Sequence, residues 1–259
     1  MAMELQEYFS KNTIVPRHEF YHKDTAKHLC NICELVYMTD NQKVVRNILQ
    51  NYNKTELKFF DVDGTEAMII KSPGSIIVAF RGTEEPKDIV TDLNLIPVGG
   101  EKQGLVHMGF KLGLDKIWKS VETHIDLLHT YGDVVYLTGH SLGGALATVA
   151  AARSKYICQV YTFGQPRVGN KKYKKNVQSK IYRHVCGADI VPSVPFGFLY
   201  SHMGDLYHVD KQQEKCYKVD SIFTFIKKRW KARLGSLFSK RPLFDLIDDH
   251  KLSTYKKYI

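Results

Sequence analysis

The sequence predicts an α/β protein with a mainly parallel central sheet and helices on both faces, and three observations carry that prediction. Residues 76–80, 134–138, 159–163 and 181–185 are short apolar runs without alternation, as expected of strands covered on both sides. Between them lie stretches of helical periodicity, and strands alternating with helices close into a parallel sheet wrapped on two faces. Finally, 259 residues are enough to bury such a core as one unit without disulfides or metals.

The elements follow in order. A first helix is expected over about residues 24–37, with Asp24 able to cap it and Ala26, Leu29, Cys30, Cys33 and Tyr37 on one face. Two short strands flank Asp63-Gly64, a strong hairpin signal. The strand 76–80 comes next. From 110 to 128, Phe110, Leu114, Ile117, Val121, Ile125 and Leu128 recur every three or four residues, which marks an amphipathic helix. An alanine-rich helix over 142–153 follows the strand 134–138, and a helix over 171–177 is expected between the last two apolar strands. Asp205, Asp210 and Asp220 lie around a further hairpin and are expected to be solvated. With no internal repeat or low-complexity linker, one domain spanning 1–259 is expected.

Composition narrows the classes. With 44% apolar residues, 12% aromatic and 25% charged, the disordered and collagen-like classes are excluded. No run of 18 apolar residues occurs, which excludes a polytopic membrane protein. The five cysteines are odd in number and scattered, so a disulfide framework is not indicated. Cys30 and Cys33 form a C-x-x-C without a second pair for zinc, and buried thiols are the expectation. The start, with Glu4 and Glu7, shows no secretory pattern, so an intracellular location or one peripheral to a membrane is expected.

Chemistry concentrates at Gly139-His140-Ser141-Leu142-Gly143-Gly144, a G-x-S-x-G between a strand and a helix. The bare pattern arises by chance in roughly one chain in ten of this length, so its strand-to-helix setting is what makes it informative. The chain must reverse within about two residues, and the glycines leave room for that turn while the serine oxygen stands clear of the sheet. A serine at a helix N-terminus also meets free N–H groups that favour developing negative charge. Such a hydroxyl needs a base, and in this architecture an acid and then a histidine follow the serine. Asp189 lies in the loop beyond the carboxyl end of a strand, where open α/β sheets collect functional groups. Among downstream histidines, His184 and His208 sit in or beside strands, where packing accounts for them equally well, while His250 leads and His202 follows. For an oxyanion hole, the N–H of Leu142 and that of Thr83, after the strand 76–80, are the natural donors.

Five blocks in order then resemble one family: Val78-Ala79-Phe80-Arg81-Gly82-Thr83, Val106-His107-Met108-Gly109-Phe110, the glycine-flanked serine, Thr162-Phe163-Gly164-Gln165-Pro166-Arg167-Val168-Gly169-Asn170, and residues 184–192. The sequence resembles the class 3 (fungal-type) lipases of the α/β-hydrolase superfamily, over roughly half the chain. The resemblance implies Ser141 as nucleophile, Asp189 as orienting acid and His250 as general base, since the family's histidine comes late, as Asp-His followed by a tyrosine, here Asp249-His250 and Tyr255. It also implies that Thr83 helps form the oxyanion hole, that Asp92 holds the Thr83 hydroxyl, and that residues 84–90 fall where a lid helix lies. The segment where the lid is expected carries Pro86, Glu84, Glu85, Lys87 and Asp88 beside Ile89 and Val90, and neither a signal peptide nor disulfides are seen, which departs from the secreted relatives.

The expected function is hydrolysis of lipid esters, acylglycerols before phospholipids, with no metal or organic cofactor. The alternatives are an esterase for small soluble esters and a catalytically inactive binding module. Net charge is +10, from 37 basic and 27 acidic residues. Between 221 and 244 no acidic residue occurs, and Ile222, Ile226, Trp230 and Leu234 repeat every four residues among basic neighbours. An interfacial helix on an anionic membrane has this composition, as does a helix packed on the domain with a solvated basic face. Nucleic acid is disfavoured, since no recognised motif accompanies the charge.

Overall fold

The computed structural model describes residues 1–83, 96–195, 197–211, 213–221, 223, 225–226 and 248–259. The lid segment 84–90, Asp92 and most of the basic stretch 221–244 lie outside the described residues.

Three helices come first: α1 (Ala2–Lys11), α2 (Lys23–Val36) and α3 (Gln42–Ile48). Strands β1 (Glu56–Val62) and β2 (Thr65–Ser72) form the expected hairpin, with Asp63 at φ 47° and Gly64 at φ 74°. Two successive positive φ values match the twist of the flanking strands, which is why Asp-Gly suits this position. Then follow β3 (Ser75–Phe80), the short pair β4 (Pro97–Gly99) and β5 (Leu105–His107), and the long helix α4 (Met108–Leu128). Strand β6 (Val134–His140), helix α5 (Leu142–Arg153), β7 (Gln159–Phe163) and β8 (Lys180–Cys186) continue the alternation. Strands β9 (Asp205–Asp210) and β10 (Lys215–Lys218) and helix α6 (Leu252–Tyr258) complete it.

The main sheet runs β1-β2-β3-β6-β7-β8-β9-β10. Its centre, β3 through β9, is parallel, and the hairpins at the two edges are antiparallel. Pleating explains the apolar runs: Ile77 and Ala79 point into one core and Ile76, Val78 and Phe80 into the other. The first core is covered by α1, α2, α3 and α6, the second by α4 and α5. On α4 the residues at three- and four-residue spacing are the buried ones. Helix α5 is buried on nearly all sides, from Gly143 to Ala152, because its small side chains let strands approach it closely.

The helix expected over 171–177 is not formed; a single 3-10 turn, Tyr173–Asn176, stands there. Lys171, Lys174 and Lys175 would repel one another at three- and four-residue spacing along a helix, and the segment has no apolar stripe to dock. Instead Tyr173 is buried and its hydroxyl donates to Glu101 (2.6 Å). The cysteines are free thiols, and Cys30, Cys33, Cys158 and Cys186 are buried. Burial pushes the Cys33 thiol up to about 12, which makes it inert as a nucleophile.

Candidate active site

The carboxyl ends of β6, β7 and β8 converge on one point. Strand β6 runs into Ser141, whose backbone stands at φ 57° and ψ −126° before α5 begins at Leu142. Positive φ at a serine is a strained conformation, held because both sides are fixed. The Ser141 N–H donates to the Phe163 carbonyl of β7 (2.9 Å), and Gly143 sits so close to β3 that a Cβ there would lie 2.1 Å from the Phe80 carbonyl oxygen.

Beyond β8, the Asp189 N–H donates to the Cys186 carbonyl (2.9 Å), and the carboxylate turns inward. It accepts from the Val191 N–H (3.0 Å), from the Tyr255 hydroxyl (2.5 Å) and from His250 Nδ1 (2.9 and 3.0 Å to its two oxygens). His250 Nε2 accepts from the Ser141 hydroxyl at 2.9 Å. With Nδ1–H donating to the carboxylate, Nε2 is left as the basic nitrogen. All three residues have 0% of their surface exposed. Gly164, at φ 62°, makes room for the pair: a Cβ there would come 2.8 Å from the His250 ring and 3.0 Å from the Asp189 carboxylate.

Supports reach the site from far along the chain. The Tyr255 hydroxyl also accepts the Cys186 N–H (3.0 Å), so one side chain ties β8 to the carboxylate, and burial, together with the neighbouring Asp189, raises its pKa well above the usual tyrosine range. His140 Nε2 donates to the His250 carbonyl (2.7 Å), which leaves Nδ1 to accept from the Tyr37 hydroxyl (2.9 Å). Burial, and then the neighbouring His250, lower His140 to about 3, so it stays neutral. Asp249, next to the histidine, is engaged elsewhere: it accepts from the Ala188 N–H (2.7 Å) and from Lys211 (2.6 Å). Helix α6 is pinned to α2 by Lys256 on Glu34 (2.7 Å).

The oxyanion-side loop lies beside this point. A Cβ on Gly82 would stand 2.3 Å from the Tyr37 hydroxyl oxygen and 2.6 Å from the His140 carbonyl oxygen. Arg81 anchors that loop through Glu66 (2.7 Å) and Asp40 (2.8 Å), and Thr83 follows two residues on. Leu142 opens α5, where first-turn N–H groups have no partner within the helix.

The structure therefore brings Ser141, Asp189 and His250 into one hydrogen-bonded chain, with Leu142 and the Gly82–Thr83 turn adjoining; Asp92 lies outside the described residues. His184 and His208 are buried and face the backbone carbonyls of Thr162 and Val185 (3.1 Å each), and His202 is half-buried. Sequence reasoning assigned no part to Tyr37, His140, Gly164 or Tyr255. Of these, Tyr255 alone had been tied to the histidine, as the tyrosine after Asp-His.

Comparison with known proteins gives the same direction. The family described as lipase (class 3) matches residues 77–199. A lipase of Caenorhabditis elegans is 29% identical over 202 residues, which cover 70% of this chain and 57% of that protein. The lipase of Rhizomucor miehei is 33% identical over 178 residues, 60% of this chain and 48% of that protein. The chain thus spans about half the length of these curated relatives. A triacylglycerol lipase whose catalytic centre is formed by a serine protease triad shares the fold, with a TM-score of 0.61 at 24% identity, covering 73% of this chain and 82% of that one.

Proposed function

The chain belongs to the class 3 lipase family and has the α/β-hydrolase fold, and from that premise we propose that it is a serine hydrolase cleaving carboxylic esters of lipids, acylglycerols before phospholipids. The observation that carries this reading is the unbroken run from the Ser141 hydroxyl through His250 to Asp189, each contact 2.9–3.0 Å.

In the proposed cycle, His250 Nε2 takes the Ser141 proton as the oxygen attacks the ester carbonyl. Asp189 holds the ring in the tautomer that leaves Nε2 basic, and stabilises the imidazolium that forms. The N–H groups of Leu142 and Thr83 stabilise the tetrahedral oxyanion; one such donor is worth about 3–4 kcal/mol in the transition state. His250 then protonates the leaving alcohol, and water releases the acyl group by the same steps. Asp92, nine positions beyond Thr83, is proposed to hold the Thr83 hydroxyl. The basic and apolar residues interleaved between 221 and 244 support peripheral contact of this stretch with an anionic membrane.

Covalent labelling by a fluorophosphonate tests the reading. Label is expected on Ser141, absent in Ser141→Ala and strongly reduced in His250→Ala. A folded wild-type chain that takes no label, with no turnover of any lipid ester, leaves a binding module in its place. A panel of glycerolipids and phospholipids of graded acyl length then sets the substrate; turnover confined to short soluble esters would replace the lipid assignment with a small-ester esterase.

A further inference from the structure

The turn that replaces the expected helix has a second feature. Lys171, Lys172, Lys174 and Lys175 are exposed, as is Lys102 at the β4–β5 tip, and none joins an ion pair among the described residues. Both groups are joined by hydrogen bonds. Asn170 Oδ1 accepts the N–H groups of Tyr173 (2.8 Å) and Leu105 (3.1 Å), and Asn176 donates to the Gln103 carbonyl (2.8 Å). Gly169 bridges Val106 of β5 on one side and Ser201 on the other, so the 197–201 loop joins the same cluster.

Residues 96–107, 164–180 and 195–204 contain a single acid, Glu101. It is turned inward, held by Arg153 (2.6 Å) and the Tyr173 hydroxyl (2.6 Å), so it does not neutralise the lysines outside. Beside them Leu105, Phe198 and Leu199 are 40%, 83% and 43% exposed. The connection begins at Gly164, against His250 and Asp189, and Lys171 follows seven residues later, a contour of at most about 25 Å.

We propose that this loop cluster seats the protein on an anionic phospholipid surface, with Lys102, Lys171, Lys172, Lys174 and Lys175 as its electrostatic contacts and Leu105, Phe198 and Leu199 as its apolar ones. The proposal rests on the lipid-ester reading and names the surface on which that substrate is met. Each lysine near an anionic leaflet strengthens binding roughly fivefold. The adjacent apolar side chains favour a bilayer over a nucleic acid, because they gain by entering the headgroup boundary and gain nothing from phosphates alone.

The test uses the full chain carrying Ser141→Ala, so that lipid is not consumed, sedimented with vesicles of phosphatidylcholine alone or mixed with phosphatidylglycerol. Binding is expected only to the mixed vesicles and is expected to weaken with added salt. Reversing the turn with Lys171→Glu, Lys172→Glu, Lys174→Glu and Lys175→Glu is expected to reduce partitioning at least about a hundredfold. Reversing the exposed Lys23, Lys43, Lys58 and Lys119 instead, for the same change in net charge, is expected to reduce it far less. Equal loss in both variants overturns the proposal, as does full binding by the turn variant, which would assign the contact to the 221–244 stretch. Preference for an oligonucleotide over the vesicles overturns it too. Unfolding midpoints establish that each variant is folded, and Lys→Gln changes at the same four positions give an intermediate loss if charge is the cause. Ester turnover by the wild type is measured separately, so that failure of the hydrolase reading and failure of the docking face are distinguishable.

Discussion

The two faces of the sheet are built from different chemistry. The face under α4 and α5 is mostly aliphatic, with Ile69, Val78, Leu114, Ile117, Leu137, Val149 and Val160 packed together. The face under α1, α2, α3 and α6 holds Tyr52, Tyr136, Tyr161, Tyr182, Tyr207 and Tyr255 with the thiols of Cys30, Cys33 and Cys186. The site draws on both. Close packing of small residues from the aliphatic side delivers Ser141, whereas hydroxyls and ring nitrogens from the aromatic side orient Asp189 and His250. A buried polar atom costs free energy unless partnered, so it fixes direction in a way that aliphatic packing does not. Precision of the base and acid is a property of one face, and the bulk of apolar burial on the serine side is a property of the other.

That contrast can be broken experimentally. The largest effect is expected from Asp189→Asn, which keeps the shape and loses the tautomer: kcat should fall about ten-thousand-fold in ester hydrolysis with the fold intact. A loss below tenfold would detach the aromatic side from catalysis. Next comes acid. Burial lowers His28, His140 and His184 to about 3, below the ordinary value of 6.5, so the unfolded chain binds their protons first. Stability is then complete above pH 6.5 and is lost as pH falls from 6.5 toward 3, by about 1.4 kcal/mol per histidine per unit. Between pH 7 and 5.5 urea unfolding should register a loss on the order of 4 kcal/mol; a flat profile would contradict a neutral, buried set.

On the other face, Leu114→Ala is expected to cost about 2–5 kcal/mol of stability while kcat per folded molecule, counted by active-site titration, stays as it was. A matched fall in kcat would mean that the faces are not separable. The smallest change is Tyr255→Phe, which removes one donor from a charged acceptor, an interaction of about 1.5–3 kcal/mol. Turnover should drop tenfold or somewhat more, roughly the lower end of that range, with KM little altered. An unchanged kcat would confine Tyr255 to tying down β8.

Much of this plan was legible in the chain because its signals are local. The uninterrupted strands, the Asp63-Gly64 hairpin and the glycine-flanked serine depend on neighbours within a few residues. Asp189 was legible from its place just after a strand. Helix α1 and the short α3 were not, since each is marked only by packing of a few apolar residues such as Leu5, Phe9, Val45 and Ile48 against distant elements. The 171–177 stretch misled because charge spacing and the buried anchor of Tyr173 matter more there than propensity. Tyr37, His140 and Gly164 were opaque for another reason: the partners of the first two are 103 and 110 residues away in sequence, and the role of Gly164 appears only once His250 stands over it.

The absence of any exposed surface at Ser141, Asp189 and His250 has a kinetic corollary. A phosphonylating reagent must wait for the hydroxyl to be uncovered, so its observed rate should climb with concentration and then level off at a plateau independent of the reagent's reactivity. The height of that plateau is the frequency with which the molecule opens, read out without any substrate.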